Sequence, residues 1–153
     1  MDRAYVDTSV FGGTQDDEFA EASEQFFRQV RTGTFVVLVS TLTTDELDGS
    51  PEDIRRVLRD LPPERIERVA LTDEVRKLAD EYVRARVLGP ASADDATHVA
   101  AATVAGADLI VSWNFRHIVN YNRIRGFNAV NVRMGYRAIT ILSPWEVIDV
   151  DED

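Results

Sequence analysis

Between Thr34 and Ser40 the chain runs Phe35-Val36-Val37-Leu38-Val39 without a polar residue. A strand with one wet face alternates apolar and polar side chains, whereas a strand that is apolar throughout has both faces buried. That is the condition of an inner strand in a parallel sheet covered by helices on both sides. This one segment therefore commits the chain to a layered α/β arrangement, and Phe35–Val39 reads as its central strand.

The remaining punctuation agrees, because apolar runs and helical periodicities alternate along the chain. Residues 4–6 read as a short first strand that ends at Asp7. Residues 15–31 place Phe19, Ala22, Phe26, Phe27 and Val30 at helical spacing before Thr32-Gly33, where glycine can close a helix. A short helix is expected over 41–47, and Ser50-Pro51-Glu52-Asp53 opens another with Ser50 as cap and Pro51 at the first helical position. A strand over 66–70 and a charged amphipathic helix over 72–87 follow, and Gly89-Pro90 breaks the chain. Ser92 then caps a small-residue helix over 93–106. The sequence predicts strands over 108–112 and 138–142, a helical or irregular stretch over 114–136 between them, and a final helix start at Ser143-Pro144-Trp145-Glu146. The expected fold is a three-layer α/β/α sandwich with a mainly parallel central sheet, one domain over 1–148, and a frayed acidic tail, 149–153.

Composition removes several classes of chemistry. There is no cysteine among the 153 residues, so disulfides, thiolate metal sites and cysteine nucleophiles are excluded. With two histidines, a metal would have to be held mainly by oxygen, which suits Mg²⁺ or Mn²⁺. Lys and Arg number 17 against 27 Asp and Glu, a formal charge of −10, so any grip on nucleic acid must be local rather than global. No apolar leader opens the chain and no run approaches a membrane span, from which a cytoplasmic location is expected.

In open parallel sheets, sites form beyond the carboxyl ends of the strands. Four polar positions fall there: Asp7 after the first strand, Glu46 soon after the second, the Asp94-Asp95 pair opening the 93–106 helix, and Asn114 after the fourth strand. Each also has a local reading. Thr43 with Glu46 and Ser92 with Asp95 have capping-box spacing, and Asp7 and Asn114 could cap the segments that follow them. As a set they carry more, because carboxylates gathered in a partly dry cleft repel one another unless a cation is present.

The segments Tyr5-Val6-Asp7-Thr8-Ser9-Val10-Phe11, Thr44-Asp45-Glu46-Leu47, Asp95-Ala96-Thr97-His98-Val99-Ala100 and Leu109-Ile110-Val111-Ser112-Trp113-Asn114 resemble those of PIN-domain proteins of the kind found as VapC-type toxins. The resemblance spans nearly the whole chain. It implies a Mg²⁺- or Mn²⁺-dependent endoribonuclease, the toxin of a toxin–antitoxin pair, with Asp7, Glu46 and Asp95 as metal ligands. It carries the family's fourth position onto Asn114, where an aspartate is usual, so that site would hold three carboxylates with an amide that orients water. Asp95 fits the pattern better than Asp94, and Ser9 and Ser112 would support the site by hydrogen bonding. A homodimer and an antitoxin partner are implied by the same resemblance. The departure at Asn114 motivates the alternative of a degenerate PIN scaffold that binds RNA or protein without cutting. An aspartate-dependent phosphatase would need an acid two residues after Asp7, where Ser9 stands.

Residues 109–145 contain five arginines and no carboxylate, which leaves the rest of the chain at −15. Arg116, Arg123 and Arg125, interleaved with Trp113, Phe115, Tyr121, Phe127 and Tyr136, have the composition of a surface that stacks and neutralises RNA, or of core aromatics beside a solvated basic face. His98, on an alanine-rich helix, reads as a packed, hydrogen-bonded residue rather than a ligand. His117 reads either as a phosphate contact or as plain solvent exposure.

Overall fold

The structure, a computed structural model, describes residues 1–148; the expected acidic tail, 149–153, lies outside the described residues. Strands β1 (Asp2–Val6), β2 (Phe35–Ser40), β3 (Ile66–Val69), β4 (Leu109–Val111) and β5 (Thr140–Leu142) form one sheet in the order β3-β2-β1-β4-β5, with every pairing parallel. The apolar run Phe35–Val39 lies in an inner strand, as its apolar continuity requires, but β1 holds the middle of the sheet and pairs with both β2 and β4.

Helices cover both faces. On one lie α1 (Thr8–Gly13), α2 (Ala20–Arg31), α3 (Thr41–Asp48), α4 (Glu52–Arg59) and α8 (Pro144–Val147); on the other lie α5 (Asp73–Arg84), α6 (Ala93–Val104) and α7 (Tyr121–Arg133). Alternate strand residues feed the two layers. Ala4, Val6, Val37, Val39, Leu109 and Val111 join the first, and Tyr5, Leu38 and Ile110 join the second. The architecture is a three-layer α/β/α sandwich, and the order reverses at β1, where parallel α/β sheets open a crevice at their carboxyl edge.

Several local expectations are corrected. α1 was not foreseen: its two glycines and β-branched residues hide a helical turn that Val10 and Phe11 stabilise by full burial. The helix expected over 15–31 accordingly begins only at Ala20. Ser40, not Thr43, caps α3, its Oγ accepting from Thr43 N–H. Pro51 occupies the cap position of α4, and Ser50 Oγ instead donates to the carbonyl of Glu46. Neither capping box forms, because Glu46 and Asp95 are drawn to partners far away in sequence. Of 114–136, residues 121–133 are helical.

Candidate active site

Asp7 leaves β1 at the carboxyl edge and stands at the cap position of α1, yet its side chain makes no cap bond. Instead Ser9 Oγ donates to Asp7 Oδ1 at 2.6 Å, and the same Ser9 Oγ accepts from Trp113 N–H at 2.9 Å. Ser112 Oγ accepts from Asn114 N–H at 2.9 Å, and its hydroxyl lies close enough to Asp7 to act on the carboxyl. The ends of β1 and β4 are thus stitched together through the two serines, with Asp7 between them and only 4% exposed. Burial pushes the Asp7 carboxyl above the ordinary aspartate value; His98 and the hydroxyls of Ser9 and Ser112 pull it back, and the charge of Asp95 adds to the rise.

Glu46 projects from α3 toward α6. His98 Nε2 meets Glu46 Oε1 at 2.7 Å, and Thr8 Oγ1 donates to the same oxygen at 2.7 Å, which leaves Oε2 without a protein partner among the described residues. The other imidazole nitrogen, Nδ1, lies 2.7 Å from the Tyr5 hydroxyl, which is itself 2.9 Å from Ser40 Oγ and 3.4 Å from Thr43 Oγ1. Tyr5 and His98 are fully enclosed, so this is a buried polar chain running from the core to the edge of the sheet. In a neutral ring Glu46 fixes the proton on Nε2 and Tyr5 donates to Nδ1. In the imidazolium both nitrogens donate and Tyr5 passes its hydrogen to Ser40. Burial alone would lower the His98 pKa, but the bond to Glu46 and the charges of Asp7, Glu46 and Asp95 outweigh it, and the net direction is up. Burial likewise opposes ionisation of Glu46, yet the bonds from His98 and Thr8 and the charge of His98 carry it below the ordinary glutamate value.

Asp95, in the first turn of α6, is half-buried, whereas Asp94 is exposed. Asn114 Nδ2 donates to Asp95 Oδ1 at 3.2 Å, and His117 Nδ1 lies 2.9 Å from Asp95 Oδ2. Asn114 Oδ1 accepts from His117 N–H, so the amide orients the loop as well as the acid. His117 is not plainly solvent-exposed: its ring is engaged through Nδ1 with Asp95, a long-range pairing that sequence spacing does not reveal.

Four segments therefore bring Asp7, Glu46, Asp95 and Asn114 to one edge, the three carboxylates within electrostatic reach of His98 and Asn114 bonded to Asp95. All the donors are hard oxygens, the chemistry of Mg²⁺ or Mn²⁺. Among the described residues, however, no group of three or more side chains stands ready to hold a metal ion. Glu46 Oε1 and both oxygens of Asp95 already meet protein groups, while Glu46 Oε2 has no protein partner among the described residues.

Beside this edge Trp113 stacks on Phe19 at 4.1 Å, and its Nε1 donates to Ser23 Oγ at 2.8 Å directly over Gly13. Trp113 and Phe127 are core residues rather than a stacking surface, and the Tyr136 hydroxyl donates to Glu74. Phe115 and Tyr121 remain exposed. Of the three arginines singled out, Arg116 is exposed, Arg123 donates to the carbonyl of Val87, and Arg125 lies over the Tyr121 ring. No helix among the described residues is long and apolar enough to cross a membrane.

The fold is similar to that of a chain in the crystal structure of VapBC2 from Rickettsia felis bound to a promoter DNA fragment, with a TM-score of 0.59 at 11% identity over 92% of this chain and 98% of that one. It is also similar to a chain in DNA-bound VapBC from Salmonella typhimurium, with a TM-score of 0.55 at 17% identity over 94% and 99%. No curated protein matches the chain in sequence. The PIN domain family matches residues 4–118, a span that includes Asp7, Glu46, Asp95 and Asn114, and the chain belongs to that family.

Proposed function

We propose that this protein is a divalent-metal-dependent endoribonuclease, the toxin of a toxin–antitoxin pair, with Asp7, Glu46 and Asp95 as the ligands of Mg²⁺ or Mn²⁺. The observation that carries the reading is the delivery of these acids, with Asn114, from four segments to the switch-point edge of a PIN-domain sheet. The likeness to chains of VapBC assemblies supports an antitoxin partner, and a homodimer belongs to the same reading.

A bound divalent ion supplies a water of lowered pKa and neutralises charge on the phosphoryl oxygens. The chain's own residues prepare the place. Ser9 and Ser112 hold Asp7, and Thr8 with His98 holds one oxygen of Glu46, which leaves Oε2 without a protein partner among the described residues. Asn114 and His117 set the orientation of Asp95. No nucleophilic side chain is needed.

A degenerate scaffold is the second reading, favoured by Asn114 standing where an acid is usual and by the engagement of Asp95 with His117. Manganese titration followed by electron paramagnetic resonance, together with cleavage of single-stranded RNA, separates the two. The nuclease binds Mn²⁺ and cuts, and Asp7→Asn abolishes cutting while the protein stays folded. A folded wild type that neither binds Mn²⁺ nor cuts RNA with it is the scaffold.

A further inference from the structure

An open cleft of about 470 Å³ lies beside the candidate active site, and Arg86, Arg116, Asn120, Asn122 and Arg123 line it without a single carboxylate. In a chain of formal charge −10, three guanidiniums drawn together from the end of α5, the loop after β4 and the first turn of α7 form a local exception. Arg86 lies outside the basic 109–145 stretch, in a segment, 72–87, where four acids balance four basic residues.

The cleft is built by specific contacts. Gly126 lets α7 approach the loop after α5 so closely that a Cβ there would lie 2.9 Å from Val87 Cγ1. Arg123 pins the same loop by donating to the Val87 carbonyl. Arg86 itself has φ 61°, the one non-glycine residue in the left-handed region among those described. Helices commonly end in that conformation with glycine. Here an arginine holds it, and Val87 N–H closes back on the Tyr82 carbonyl. Neither Arg86 nor Arg116 has an ion-pair or hydrogen-bond partner for its guanidinium among the described residues. Two exposed, unpaired guanidiniums beside the pinned Arg123 in the first turn of a thirteen-residue helix, with no carboxylate in the lining, are suited to an oxyanion.

We infer that this cleft binds a backbone phosphate of single-stranded RNA other than the one being cut, with Arg86 and Arg116 as its principal contacts. The identity of the ligand rests on the RNA-cleaving reading above. The link to that site is one residue long: His117, next to Arg116, meets Asp95 through its ring and Asn114 through its N–H. A strand seated in the cleft is thereby led to the carboxylates.

The test uses the full chain carrying Asp7→Asn, in chelator, so that neither cleavage nor metal enters. Anisotropy of a labelled single-stranded oligoribonucleotide is measured across a salt series. Arg86→Gln and Arg116→Gln should each lower affinity about fivefold at roughly 0.1 M salt and flatten the salt slope by about 0.7. Arg59→Gln removes the same charge from an exposed pair with Glu52 on α4 and should change neither. Arg86→Gly, which suits the backbone, should lose affinity like Arg86→Gln while keeping the fold, and Arg86→Lys should retain most of the slope. Unchanged affinity and slope in the folded Arg86→Gln, Arg116→Gln double variant overturn the proposal. So does a cleft that binds inorganic phosphate, seen as shifts of arginine Nε–H resonances, while the double variant binds RNA normally. Loss of RNA affinity in the double variant, with no RNA cleavage by the wild-type protein in Mn²⁺, keeps this site and defeats the nuclease reading. Intact cleavage with unaltered binding does the reverse.

Discussion

Replacing Tyr5 with phenylalanine tests whether the buried chain behind Glu46 is held together by its hydroxyl. That oxygen lies within hydrogen-bonding distance of His98 Nδ1, Ser40 Oγ and Thr43 Oγ1, and both Tyr5 and His98 are shut off from solvent. Ser40 keeps contacts with Thr43 after the change, so the orphaned group is chiefly His98 Nδ1. A net hydrogen bond is worth about 1 kcal/mol, and an unsatisfied buried polar group costs about 1–3 kcal/mol more. The expected loss is therefore about 2–4 kcal/mol, which for a chain of this size lowers Tm by roughly 5–15 °C. Urea unfolding followed by circular dichroism and tryptophan fluorescence gives the number. A double-mutant cycle with Glu46→Gln should show a coupling above about 0.5 kcal/mol, since the two groups bond opposite sides of one ring. A Tyr5→Phe loss below about 0.5 kcal/mol with no coupling would refute the reasoning and make His98 indifferent to its partner in the core.

The metal-free protein should be most stable on the mildly acid side of neutrality. His98, shifted up, contributes fully below the ordinary histidine value of 6.5 and loses that contribution as pH rises through its folded pKa, while Glu46, shifted down, contributes above the ordinary value of 4.5 and loses it as pH falls through its own. Melting temperature against pH checks this, and His98→Gln should flatten the alkaline limb. Asp7, shifted up by burial, destabilises as pH rises past the ordinary aspartate range, so Asp7→Asn should raise Tm in chelator at pH 7, a gain that added Mn²⁺ reverses relative to wild type. Gly13→Ala places a Cβ 2.6 Å from both Ser23 Oγ and Trp113 Nε1, so overpacking and a severed bond should together cost about 2–4 kcal/mol, with Trp113 emission shifting red.

What was legible in the sequence is what depends on period and on position along a strand. The apolar run at Phe35–Val39 and the alternation of helices and strands led to the three layers. Asp7 and Asn114 could be found because they sit one and three residues beyond strand ends. What escaped depends on pairs far apart in the chain. Thr43 and Glu46 have the spacing of a capping box, but Glu46 is claimed by a histidine 52 residues on. His117 reads in the sequence as a phosphate contact or an exposed residue, and only the fold sets it against Asp95, 22 residues earlier. Arg86 is unremarkable in a segment of balanced charge and acquires meaning only when Gly126 admits α7 against its loop.

The place of β1 in the sheet bears on when the site comes into being. β1 pairs with β2 after about thirty residues, but its other edge waits for β4, with Ala4 beside Leu109. Closing so long a loop is slow relative to local pairing, and on a ribosome it must await emergence of the later segment. Until β4 docks, Ser9 lacks the Trp113 N–H and Asp7 lacks Ser112, so the acid at the centre of the site is neither oriented nor enclosed. Asp95 gains Asn114 and His117 only with the segment that follows β4. The groups that complete the setting of Asp7 and Asp95 all come from residues 112–117, so the topology leaves the carboxylate edge incomplete until that late segment has been made.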